Sequence, residues 1–190
     1  MKKLTSIIAV IAIVVTYSCK KAEKKTEKAT EEVEVTKTVE KKSVSIVLAA
    51  KSESTATGEV IFTEENGTVS MNADLKGLTP GEHAIHIHQK ADCSSPDGKS
   101  TGGHWNPTNT PHGKWGAAEG YHKGDIGNFI ADADGNGSIS MSTDEWCIGC
   151  GDETKDILGK GIIVHAGTDD YTTQPTGAAG GRVSCGGIIE

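Results

Sequence analysis

From Ser43 onward, apolar and polar residues alternate with the two-residue period of a half-buried β-strand. Ser43-Val44-Ser45-Ile46-Val47-Leu48 is rich in β-branched side chains. Gly58-Glu59-Val60-Ile61-Phe62-Thr63 follows, then Thr68-Val69-Ser70-Met71-Asn72-Ala73-Asp74-Leu75. Asn66-Gly67, between the last two, is a strong hairpin signal, because both residue types accept positive φ. Further strands are expected at 83–88, 126–133, 137–143, 160–165 and 182–189, with Asp134-Gly135-Asn136-Gly137 as another turn. Eight short strands without a convincing helix predict an all-β sandwich or barrel. Two connections are long, 89–125 and 166–181, and loops of that length usually carry function.

The first 42 residues follow a different pattern. Met1-Lys2-Lys3 is basic, and the apolar run from Leu4 to Val15 is too short to span a bilayer comfortably. This reads as an export signal. The run ends in Thr16-Tyr17-Ser18-Cys19, and a small residue just before a cysteine resembles a bacterial lipoprotein signal. Processing would remove residues 1–18 and lipidate Cys19. Residues 20–42 hold eight Lys and six Glu and little that could form a core. Such composition predicts a solvated tether, so 19–42 reads as a lipidated cysteine with a charged spacer. The folded domain is then 43–190, exported to the periplasm or cell envelope, with membrane contact only through the lipid.

Composition narrows the function. A formal charge of -7 over 190 residues argues against a nucleic-acid partner, which would need a basic face. Residues 43–190 are more acidic still, with nine Lys and Arg against 20 Asp and Glu. The 24 glycines suit many tight turns, and aromatics at 4% leave the core mainly to Ile, Val, Ala and Leu. Six of the seven histidines lie between 83 and 122, which points to a metal site.

His83-Ala84-Ile85-His86-Ile87-His88 alternates, so His86 and His88 project from one strand face while Ile85 and Ile87 enter the core. His83 falls on the other face, and a structural hydrogen bond is expected there. His104, His112, His122 and Asp125 follow in the long connection. Three imidazoles and a carboxylate suit tetrahedral zinc. His165 ends the apolar run Ile162-Ile163-Val164, where it could meet His86 and His88; four imidazoles would suit Cu(II). Spacing alone does not say which histidine serves which metal.

The motifs His-x-x-His-x-His at 83–88, Gly-His-Trp-Asn-Pro at 103–107, His-x-Gly-Asp-x-Gly-Asn at 122–128 and Gly-x-x-Gly-Gly-Arg-x-x-Cys-Gly at 177–186 together closely resemble the copper–zinc superoxide dismutase family. The resemblance covers roughly 43–190. It implies an eight-stranded Greek-key barrel and dismutation of superoxide to oxygen and hydrogen peroxide, with one copper and one zinc per chain. It assigns copper to His86, His88, His104 and His165, and structural zinc to His104, His112, His122 and Asp125. His104 would bridge the metals as imidazolate and serve as a general acid. Asp169 matches a carboxylate that in this family links the His88 side to the zinc-side ligands, which leaves open the imidazoles it touches here, and Arg182 matches the arginine that guides superoxide. Lys99, Lys114 and Lys123 are candidate helpers, since 166–181 holds no Lys or Arg. Dimer contacts differ between branches of this family, and a homodimer is among the assemblies it admits.

The resemblance also pairs Cys93 with Cys185. Cys147 and Cys150 are extra to its pattern. A local disulfide is expected there, with a redox or Cu(I)-thiolate role as the alternative. Those two cysteines are also the one feature favouring a rival function, a non-catalytic copper- or zinc-binding or delivery module.

Overall fold

The computed structural model describes residues 40–190. The expected signal sequence 1–18, the lipidation candidate Cys19 and the tether up to residue 39 lie outside the described residues. Eight strands form: β1 (Lys42–Ala50), β2 (Thr57–Glu65), β3 (Thr68–Lys76), β4 (Gly81–His88), β5 (Gly127–Ala131), β6 (Gly137–Thr143), β7 (Gly161–His165) and β8 (Arg182–Gly187). Each pairs antiparallel with its neighbours in the order β1-β2-β3-β6-β5-β4-β7-β8, and β8 returns to β1 to close a barrel. The connections β3 to β4 and β6 to β7 skip over neighbours, as Greek-key topology requires. Closure leaves no unpaired edge.

The two-residue period sorts side chains as the sequence predicts. Val44, Ile46 and Leu48 of β1, Val60 and Phe62 of β2, and Val69, Met71, Ala73 and Leu75 of β3 point inward and are buried. Ile85 and Ile87 of β4 join them, with Ile162 and Val164 of β7. Each large aliphatic buried this way contributes about 1.5–3 kcal/mol of transfer free energy. Strand limits differ from the expected ones by a few residues. β5 stops at Ala131 because the Asp132 carboxylate accepts the backbone N–H groups of Asp134 and Asn136 at 2.9 and 2.8 Å, which turns the chain early.

The outward face of β4 is covered too, since His86 and His88 are fully buried. The 89–125 connection doubles back over it. Trp105 donates its backbone N–H to Ile87 (2.8 Å), Ile87 donates to Gly124 (2.9 Å), and Gly124 donates to Trp105 (3.0 Å). A side chain at 124 would place its Cβ 2.2 Å from the Ile87 carbonyl oxygen, so only glycine permits this crossing. The Cys93–Cys185 disulfide fastens the same connection to β8, with Cα atoms 5.9 Å apart and the partners 92 positions apart in sequence. By the chain-entropy argument such a long closed loop contributes roughly 4–5 kcal/mol. Cys147 and Cys150 form a second, local disulfide in the β6–β7 connection.

Candidate metal centre

β4 supplies His86 and His88, the end of β7 supplies His165, and the folded-back connection supplies His104, His112, His122 and Asp125. All seven are buried. They form two clusters that share one ring. In the first, one nitrogen from each of His86, His88, His104 and His165 lies within 4.8 Å of every other. In the second, atoms of His104, His112, His122 and Asp125 satisfy the same limit.

The hydrogen bonds show which nitrogen of each ring is free. Nε2 of His86 donates to Asp169 Oδ2 (2.8 Å), leaving Nδ1 unpartnered. Nδ1 of His88 donates to the Gly102 carbonyl (2.9 Å), and Nδ1 of His165 to that of Gly180 (3.3 Å), so Nε2 is free on both. Nδ1 of His104 donates to Asp125 Oδ1 (2.8 Å), and its Nε2 is free. Nδ1 of His112 and of His122 lie 2.9 and 3.2 Å from Asp125, close but outside hydrogen-bonding geometry. Six buried ring nitrogens are thus orphaned. Each would cost about 1–3 kcal/mol if left so. Buried ring nitrogens that converge with no hydrogen-bond partner are what a metal ion requires, so the donor sets fit metals.

Asp169 joins the clusters through one ring of each. Its Oδ2 accepts from His86 and its Oδ1 accepts Nε2–H of His112 (2.8 Å). His88 turns instead to Gly102, because 99–103 runs beside the end of β4, with Gln89 donating to the Gly103 carbonyl (3.0 Å). Asp169 is itself held by Asn128, which exchanges two hydrogen bonds with its backbone at 2.9 Å each. Asn128 closes the motif at 122–128, and that position was its only signal in the sequence. Gly177, at φ +66°, leaves room for this carboxylate; a Cβ there would fall 1.7 Å from Asp169 Oδ1.

Electrostatics divide the clusters. Burial, and then His104 beside it, holds His88 well below its ordinary pKa. Burial likewise pulls His165 down to about 3, and His104 to about 4 despite its bond to Asp125. These rings are neutral donors at pH 7. Burial also opposes charge on His112, yet the Asp125 carboxylate beside it and its hydrogen bond to Asp169 outweigh that and raise it to about 9. The Asp125 carboxyl pays for burial as well, but His104, His112 and His122 hold it far below the ordinary carboxylate range. One cluster is therefore all imidazole, and the other is built on a permanent carboxylate.

Other candidates fall as follows. His83 is buried on the opposite face of β4 and donates from Nδ1 to the His165 carbonyl (2.8 Å), the structural bond expected of it. Arg182 donates to the carbonyls of Gly98 and Gly102, at 2.8 Å each, and to Thr101 Oγ1 at 3.0 Å. Gly102 thus anchors both His88 and Arg182. Two of the three candidate lysines are engaged by acids: Lys99 pairs with Asp97 at 2.8 Å, and Lys123 pairs with Glu145.

Comparison with known proteins agrees with this geometry. The family described as copper/zinc superoxide dismutase matches residues 56–188. A superoxide dismutase [Cu-Zn] of Caulobacter vibrioides is 42% identical over 135 residues, covering 69% of this chain and 77% of its own. An extracellular superoxide dismutase [Cu-Zn] of Brugia pahangi is 33% identical over 163 residues, covering 81% and 79%. The crystal structure of a SOD-like protein from Bacillus subtilis superposes with a TM-score of 0.68 at 31% identity, over 76% of this chain and 97% of that one. The all-imidazole set suits copper, and the set containing Asp125 suits zinc.

Asp169 accepts one hydrogen bond from His86 and one from His112. Asp169→Asn replaces an acceptor-only group with one that donates from half its face. Metal affinity at the Asp125 cluster should fall about ten- to a hundredfold, the usual cost of losing such a partner. Competition with a chromophoric chelator measures it. Unchanged affinity would show that Asp169 does not orient His112.

Proposed function

The chain belongs to the copper/zinc superoxide dismutase family, and we propose that it dismutes superoxide at a copper held by His86, His88, His104 and His165, beside a structural zinc held by His104, His112, His122 and Asp125. One observation carries the reading. Buried His104 directs an unpartnered Nε2 into the all-imidazole cluster, while its Nδ1 lies 2.8 Å from Asp125 Oδ1. A ring so placed would hold both metals, giving one nitrogen to each donor set as imidazolate. When bound, copper supplies alternating one-electron oxidation and reduction, and zinc supplies a fixed positive charge.

The remaining chemistry belongs to the chain. His104 Nε2 is where a proton is held for the peroxide product. That nitrogen is unpartnered in the all-imidazole cluster, the place a general acid would act from. Asp125 fixes the ring from the other end. Arg182 is the anion guide, and three hydrogen bonds prevent it from swinging away. The shared Gly102 carbonyl puts the guanidinium one peptide group from His88. Guidance must be local, because nine basic against 20 acidic residues in 43–190 repel an anion at long range. With Lys99 and Lys123 engaged by carboxylates, Arg182 carries most of it. The rival metal-delivery reading needs free thiols at Cys147 and Cys150, and these are joined as a disulfide.

We place the protein outside the cytoplasm, with its lipid on Cys19. Two disulfides and the extracellular relative from Brugia pahangi support export. The anchor rests on Met1-Lys2-Lys3, the apolar run 4–15 and Ser18 before Cys19.

Two outcomes follow. Arg182→Ala should lower the bimolecular rate with superoxide about tenfold, about 1.4 kcal/mol, and Arg182→Glu should lower it further. Copper content should stay constant. Pulse radiolysis at several ionic strengths measures this, and a rate indifferent to Arg182→Glu would remove Arg182 from the guidance role. Cys19→Ala should move the protein from the detergent phase to the aqueous phase or leave the precursor unprocessed. A wild-type mature N-terminus other than acylated Cys19, read by intact mass, would refute the anchor.

A further inference from the structure

Glu145 and Trp146 immediately precede the extra Cys147–Cys150 disulfide, and both reach across to the turn that carries His122. The Glu145 carboxylate accepts the Tyr121 hydroxyl at 2.6 Å and pairs with the Lys123 ammonium. Trp146 Nε1–H donates to the Lys123 carbonyl at 2.8 Å. The residues on either side of His122 are therefore gripped from one segment. Ring contacts reinforce the grip. Trp146 meets Phe62 of the core at 5.9 Å between centroids, Trp115 meets Trp146 at 5.3 Å, and Tyr121 meets Trp115 at 5.0 Å. A chain with aromatics at only 4% places four of them in this one line.

The segment itself is fixed at its base. Cys147 donates its backbone N–H to Lys155 (2.9 Å) and accepts from Ile157 (3.1 Å). Ile148 donates to Glu64 at 2.8 Å and accepts from Lys42 at 2.9 Å, tying it to β2 and β1. Asp156 accepts the N–H groups of Gly149 and Gly151 at 3.0 and 2.9 Å, closing the loop over the disulfide. A lever anchored this firmly transmits position, and His122 sits between its two points of contact.

We propose that segment 145–150 is a brace for the zinc site, in which Glu145 and Trp146 are positioning residues for His122 and the Cys147–Cys150 disulfide stiffens the loop from which they project. The inference rests on the reading of His122 as a zinc ligand. It gives the two additional cysteines a task within the same enzyme: slowing the escape of zinc.

The test is the rate at which a chromophoric chelator strips zinc from the metal-loaded full chain. Glu145→Ala should speed release about tenfold, the low end for losing a group that orients a metal ligand. Cys147→Ser/Cys150→Ser should speed it as well, and the combined variant should show less than the product of the two effects, because both act through one contact. Val60→Ala, a core truncation in β2, should lower the melting temperature without changing zinc release. Release at the wild-type rate in Glu145→Ala, with His122→Ala fast, would overturn the brace. Effects that simply multiply would overturn the disulfide's part in it. Wild-type release in His122→Ala would instead overturn the ligand reading beneath the proposal.

Discussion

An imidazole can serve two sites only if neither of its nitrogens is claimed by water or by a backbone carbonyl. His104 meets that condition. Its ring is buried, one end faces three other imidazoles, and the other faces a carboxylate. Much of the structure serves to hold it there. The crossing at Gly124 carries the loop over β4, the Cys93–Cys185 bridge fastens that loop to β8, and His88 and Arg182 share the Gly102 carbonyl. Six buried, orphaned nitrogens are costly for the protein alone. A closed barrel with a dense aliphatic interior has the rigidity to tolerate them, and metals turn the cost into binding energy.

Rigidity also explains why support for the centre comes from several connections. The 166–181 connection sends Asp169 to bind one ring from each cluster. The β6–β7 connection grips both sides of His122. The barrel itself contributes only His86, His88 and His165 to the donor sets. Placing most donors on loops costs precision, and these cross-links between loops restore it.

Much of this was legible in the sequence, and for physical reasons. A two-residue period survives into structure because slipping a strand by one position would expose its whole apolar face, so all eight strands were readable. Their ends were less so, because a carboxylate such as Asp132 capturing backbone N–H groups leaves no periodic trace. The donor set was visible through its motifs, and the pairing of Cys93 with Cys185 followed from the family resemblance, whereas the Cys147–Cys150 bridge was expected from its local spacing outside that pattern. The contacts of Asp169 were not readable, since which imidazole it meets depends on how two loops cross in space. Lys123 was a candidate helper in the sequence, and only tertiary structure brings Glu145 to it. Asn128 carried no signal beyond its place in a motif.

The claim that one histidine joins two metals has a direct test. Cobalt(II) placed at the Asp125 cluster, with Cu(II) at the all-imidazole cluster, gives two paramagnetic ions whose one shared ligand would be His104. Electron paramagnetic resonance should then show the Cu(II) signal strongly broadened or lost through magnetic coupling, and it should reappear when zinc replaces cobalt. An ordinary, isolated Cu(II) spectrum with both ions bound would contradict the account.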